Sequence, residues 1–172
     1  SYVTDHNLTL NLTATDASEV YITENADCST GGTWEAYALS KAYPMGLNTS
    51  VTIYYKVRDL ALNESACINS SIAHDTLSPN PVTSILLAND GSDIASDNSS
   101  WPAATDNGPS GIATYMYAIS TSIEEAGIVP SGNWANTFSA VTYQFESGLS
   151  LLGSTNYYTL VKVIDNVGNE SL

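Results

Sequence analysis

The sequence predicts an all-β chain organised as two tandem small antiparallel β-sandwiches. Three observations predict it: a composition of strand and turn formers, a set of landmarks that recurs in one order, and a proline-bearing stretch between the two copies. The chain has 172 residues, enough for two small domains. It is rich in Thr, Ser, Asn, Val, Ile and Tyr, with few of the Leu-Ala-Glu-Lys runs that hold a helix, so propensity favours strands joined by polar turns.

The clearest landmark is a phrase written twice, "YKVRDLALNESA" at 55–66 and "VKVIDNVGNESL" at 161–172. Each reads Lys-Val-x-Asp, three further residues, then Asn-Glu-Ser. Upstream, "TATDASEVYIT" at 13–23 answers "AATDNGPSGIATYMYAIS" at 103–120, and "GGTWEAY" at 31–37 answers "SGNWANT" at 131–137. Landmarks that keep their order while their spacing changes are the mark of one strand-and-turn unit built twice with different loops.

The elements follow in order. "LTLNLTA" at 8–14 alternates as a strand. Counting back from Asp59 by twos gives Val57, Tyr55, Ile53 and Val51 on one face, with Arg58, Lys56 and Thr52 on the other and Tyr54 as the exception. "ACINSSI" reads as the last strand of the first unit. Two prolines in "HDTLSPNP" at 74–81 remove ladder donors and stiffen an extended linker, which sets the domains at 1–76 and 77–172. "VTSILLA" at 82–88 opens the second domain. Counting back from Asp165 gives Val163, Val161, Thr159 and Tyr157, while Leu160 and Ile164 make this strand apolar on both faces and therefore more deeply covered. Asp90-Gly91, Asn107-Gly108-Pro109 and Val167-Gly168-Asn169 supply the tight turns. Trp34 and Trp134 stand where each domain could use one large core ring. The first domain has no strand to answer "VTSILLA", and the second stops at Asn-Glu-Ser where the first continues, so the first reads as cut at its N-terminal strand and the second as lacking its last.

Four Lys or Arg against eighteen Asp or Glu give a net charge of −14. Such a surface repels phosphate backbones, so nucleic acid is excluded as a partner. No apolar run approaches the roughly 20 residues that span a bilayer, and no basic-then-apolar start resembles a signal peptide. The chain reads as a segment of a longer protein.

Cys28 and Cys67 are too far apart for a CxxC motif, and His6 and His74 do not complete a zinc set. A reactive thiol is one reading; a disulfide stapling a small β domain in an oxidising compartment is the commoner use. Closing a loop of about 40 residues would contribute roughly 3 to 4 kcal/mol in the chain-entropy model. No acid, base or nucleophile set suggests catalysis, and Glu24 with Asp27, or Glu124 with Glu125, read as solvated loop charges. The chain is expected to be a non-enzyme without an obligatory cofactor. Calcium is the ion its acidity admits, with Asp75 at the boundary and Asp90, Asp93 and Asp97 in "NDGSDIASDN" as candidate ligands, against the plainer reading of a turn-rich acidic loop. Asp16 and Asp106, in the Ala-Thr-Asp repeats, are expected to cap turns. Trp101, Tyr115, Tyr117 and Trp134 could stack on a sugar or anchor a protein partner, against the reading of strand aromatics as core. Trp101, beside Pro102 and after a Ser/Asn/Asp run, is expected to be the exposed ring. The sequons at Asn7, Asn11, Asn48, Asn63, Asn69, Asn98 and Asn169 are explained by chance in an Asn/Ser/Thr-rich chain.

In the second domain, "LLGSTNYYTLVKVIDNVGNES" resembles the ending of a fibronectin type III repeat, in which a Leu, a Gly-rich turn and a Tyr precede an alternating Val strand and Asp-x-x-Gly-Asn. The resemblance gives Tyr157 the place of the corner tyrosine that bonds back to the preceding turn. The first domain resembles a divergent bacterial immunoglobulin-like repeat: Val51 stands in the tyrosine's place, Leu62 stands at the Gly168 turn position, and "CSTGGTW" and "NESAC" would carry the disulfide. Asp59 and Asp165 then finish a strand. The resemblance implies a non-catalytic segment of a bacterial cell-surface or secreted adhesin or fibre, extracellular, acting as a spacer beside neighbouring repeats and contributing to adhesion. Its alternative is a module whose second-domain loops bind carbohydrate or a protein on a target cell surface.

Overall fold

The computed structural model describes residues 1–87, 96–124, 128–129, 134–136, 142–147 and 149–172, and no helix occurs among them. The chain divides into two compact units, Ser1–Asp75 and Thr76–Leu172. In the first, β1 (Tyr2–Val3), β7, β6, β3 (Glu19–Thr23) and β4 (Trp34–Ala36) lie side by side in that order, with β6 at Thr49–Arg58 and β7 at Ile68–His74. A second sheet pairs β2 (Asn7–Asn11) with β5 (Ser40–Pro44). The β-branched and aromatic run in β6 lets it serve as the central strand, antiparallel to both β3 and β7. Leu8, Leu12, Val20 and Ile53 are buried, drawn from strands of both sheets and the turn after β2. β1 is two residues long and pairs parallel with Ala73 and His74 of β7.

The second unit repeats the plan. One sheet runs β11 (Ile128–Val129), β10 (Ile112–Ser120), β14 (Tyr158–Asp165), β15 (Glu170–Ser171), and β12 (Ala135–Asn136) also pairs with β10. The other runs β13 (Tyr143–Ser147), β9 (Ser96–Ser100), β8 (Leu86–Leu87). Trp101, Tyr115, Tyr117, Val161 and Val163 form the buried core, with Val82, Ile85, Ala104 and Ile112 packed against it. Because Trp101 follows β9 while the others lie on β10 and β14, this core joins the two sheets. It also corrects two expectations. Of the described residues 82–87 of "VTSILLA", Leu86–Leu87 form a strand, because the segment behind Pro79 and Pro81 turns Val82 and Ile85 towards the core before a ladder begins. Trp101 is not the exposed ring but 4% exposed, tilted against Tyr115 with ring centroids 5.8 Å apart.

Candidate functional site

The repeated phrase forms the same hairpin end in both units. In the first, the Asp59 carboxylate accepts from the N–H groups of Ala61 and Asn63 at 2.8 and 2.9 Å and from Asn63 Nδ2 at 2.8 Å. In the second, the Asp165 carboxylate accepts from the N–H groups of Val167, Gly168 and Asn169 at 2.9, 2.7 and 2.9 Å and from Asn169 Nδ2 at 2.7 Å. A side chain that satisfies successive backbone donors closes a turn without help from its sequence. Leu62, with φ 67°, takes the left-handed position that Gly168 takes with φ 94°, so the turn is the same although its residue differs. The rest of the phrase is used as well: Lys56 pairs with Glu64 at 2.8 Å, and Lys162 with Glu170 at 3.0 Å. Hydrogen bonds from Asn63 hold the Asp59 carboxyl below its ordinary value, ahead of the smaller opposing effect of desolvation.

Every basic residue of the chain is engaged in this way, since Lys41 pairs with Glu35 and Arg58 with Glu19 in addition to the two hairpin lysines. Of these cations, Arg58 also sits 4.2 Å from the Trp34 ring centroid, and Lys162 sits 4.8 Å from that of Trp134. Both tryptophans are half-buried, which corrects their expected place as core rings. Trp34 tilts against Tyr21, and Trp134 packs on a small cluster of Ala118, Ile128 and Leu160. The outer sheet face, with its long cationic side chains, covers these rings.

The carboxylates that come together in the second unit are Asp106 and Asp165. Asp106 caps its turn, accepting from Gly108 N, Ser110 Oγ and Gly111 N at 3.2, 3.1 and 2.7 Å. Asn166 binds this turn to the β14 end through Ser110 O and Gly111 O at 2.8 and 3.0 Å. A carboxylate oxygen of Asp106 thereby lies within 4.8 Å of one of Asp165. Asp165 is buried and Asp106 half-buried. An ion about 2.4 Å from each of two oxygens holds them no more than about 4.8 Å apart, so hard-oxygen calcium coordination fits the pair. Sequence reasoning gave both residues only structural roles; the signal for the pairing was that Ala-Thr-Asp and the strand-end Asp recur together. Asp16, the counterpart of Asp106, caps no turn among the described residues: it is exposed at φ 58°.

Of the calcium candidates named from sequence, Asp75 is fully buried at the end of the first unit, its N–H bonded to Val3 O at 2.9 Å. Asp90 and Asp93 lie outside the described residues, as does the side chain of Asp97, whose backbone belongs to β9. Among the ring candidates, Tyr115 and Tyr117 are buried like Trp101, and the Tyr115 hydroxyl accepts from Ala104 N at 2.8 Å. The Tyr157 hydroxyl accepts from Leu152 N at 3.0 Å, the bond of a corner tyrosine. Cys28 and Cys67 form a disulfide with Cα atoms 5.9 Å apart, tying the loop after β3 to the start of β7. Glu24 and Asp27 are taken by local bonds, Glu24 accepting from the Tyr43 hydroxyl at 2.6 Å and Asp27 from Ser29 Oγ at 2.7 Å. Burial, and then the Glu24 carboxylate, push the Tyr43 hydroxyl up to about 12.

No protein-family model matches the chain, and no curated protein matches it. Among solved structures it is similar to the fibronectin(III)-like modules of Clostridium thermocellum CbhA, at 11% identity over 96% of this chain and 80% of that one, with a TM-score of 0.45. No helix among the described residues is long and apolar enough to cross a membrane.

Proposed function

We propose that this chain is a non-catalytic spacer segment of a bacterial surface or secreted fibre, built from an immunoglobulin-like and a fibronectin type III-like sandwich in tandem. The observation that carries the reading is the hairpin built twice. In both copies the Lys, Asp, Asn and Glu of the repeated phrase are spent on one turn and one cross-strand ion pair. Residues kept for such geometry serve a module that is stacked rather than a site that reacts. The disulfide between Cys28 and Cys67 suits an oxidising, extracellular setting. Burial of Trp101, Tyr115 and Tyr117 takes three of the four candidate rings away from a sugar or protein ligand, which makes adhesion the lesser part of this reading.

The reading includes calcium at Asp106 and Asp165. Bound there, the ion would neutralise two neighbouring carboxylates and stiffen the turn. Backbone ¹⁵N relaxation together with thermal unfolding, each in calcium and in chelator, tests both parts. One common tumbling time and a higher Tm in calcium are expected, because a ligand of the folded state alone raises stability. Independently tumbling units would remove the spacer reading; an unchanged Tm would remove the calcium alone.

A further inference from the structure

The two units end alike at the repeated hairpin, but among the described residues of each unit only the second has a segment of its own running over that end. In the second unit the segment 76–81, "TLSPNP", runs over it. Asn80 donates its N–H to Thr105 O and its Nδ2 to Thr105 Oγ1, both at 2.9 Å. Asn107 Nδ2 donates to Ser78 O at 2.9 Å, and Asn169 Nδ2 donates to Leu77 O at 3.2 Å. Thr105 and Asn169, which belong to the Ala-Thr-Asp and Asn-Glu-Ser repeats, thus act as receptors for a proline-bearing segment.

Their counterparts in the first unit are Thr15 and Asn63. Thr15 is exposed and has no hydrogen-bond partner among the described residues. Asn63 Nδ2 gives one hydrogen to Asp59, as Asn169 gives one to Asp165; the other hydrogen, which Asn169 gives to Leu77, meets no acceptor among the described residues. Beside them is an open groove of about 470 Å³ lined by Asp16, Ala17, Ser18, Asp59, Leu60 and Ala61. Leu60 is 91% exposed and Leu62 61% exposed, where the second unit has Asn166 and Gly168. Leu62 holds its side chain there from a left-handed backbone, which an L-residue adopts at a cost and glycine adopts freely.

We propose that this end of the first unit docks the linker of a neighbouring repeat, an extended uncharged segment with the Leu-Ser-Pro-Asn-Pro chemistry of residues 77–81. An asparagine of that segment meets Thr15 as Asn80 meets Thr105, a main-chain carbonyl accepts from Asn63, and the prolines and leucine cover Leu60 and Leu62. An uncharged occupant suits a groove flanked by Asp16 and Asp59, where an acidic one would be repelled. Recognition is by the main chain and one amide, with apolar contact between them.

The test titrates the whole ¹⁵N-labelled protein with a capped TLSPNP peptide, and with a second peptide whose asparagine is replaced by alanine. A free peptide loses the advantage of being tethered, so binding is expected near about 1 mM. Shift changes should be confined to residues 14–18 and 59–63 and be weakened about fivefold by Thr15→Ala or by the alanine peptide, the ratio for one neutral hydrogen bond. Leu62→Gly separates docking from folding: it should raise the Tm by relieving the backbone while weakening the peptide. No shift at this end with about 5 mM peptide, a concentration well above that dissociation constant, would overturn the proposal. Equal binding of both peptides would overturn it too, as would shifts there that follow protein concentration alone, since those would make a second copy the occupant.

Discussion

At the scale of single residues, the tryptophans show how location decides what a side chain is worth. Trp101 is buried between the sheets with Tyr115, Val161 and Val163, so Trp101→Ala is expected to cost about 3 to 5 kcal/mol through lost packing and the cavity left behind. Trp134 is half-buried under Lys162, and Trp134→Ala is expected to cost about 1 kcal/mol, the scale of a partly exposed cation–π contact. Urea unfolding followed on the second unit checks the order; equal costs would contradict the burial difference. From sequence the two rings could not be ranked correctly. A Ser/Asn/Asp run ahead of Trp101 reads as exposed loop, yet that run is β9 itself, and the residue after it turns inward.

At the scale of elements, the hairpin after β6 links pH to a local geometry. The Asp59 carboxyl is held below the ordinary value of 3.8, first by the Asn63 side chain and then by the Asn63 N–H. A carboxylate whose folded-state value is lowered stabilises the fold above the ordinary value, and that contribution is lost as pH falls through the lowered one. Asn63→Ala should therefore bring the Asp59 titration back up towards 3.8 in an NMR pH series, whereas Glu64→Ala, which breaks only the ion pair with Lys56, should leave it in place. Alternation along the chain had already marked the strand and its end. It could not mark the pairing of Asp106 with Asp165 in the second unit, because those carboxylates meet only after β10 and β14 align and Asn166 bonds to Ser110 and Gly111.

At the scale of the whole molecule, two compact units carry different fastenings. The first has the disulfide from Cys28 to Cys67, which closes a sequence separation of 39. Replacing both cysteines by serine should cost the first unit about 4 kcal/mol, or about 20 °C in Tm, in the chain-entropy model. The second unit, with no cysteine, should melt unchanged; residue-resolved melting by NMR separates the two, and a common shift would show that they unfold as one. The sequence by itself determined the all-β character, the twice-written hairpin and the strongly acidic charge, since propensity, alternation and charge are properties of neighbours along the chain. Tertiary structure alone decided which tryptophan is core, which carboxylates meet and which hairpin end is covered. Period two tells which residues share a face but not which face another sheet or a linker will cover.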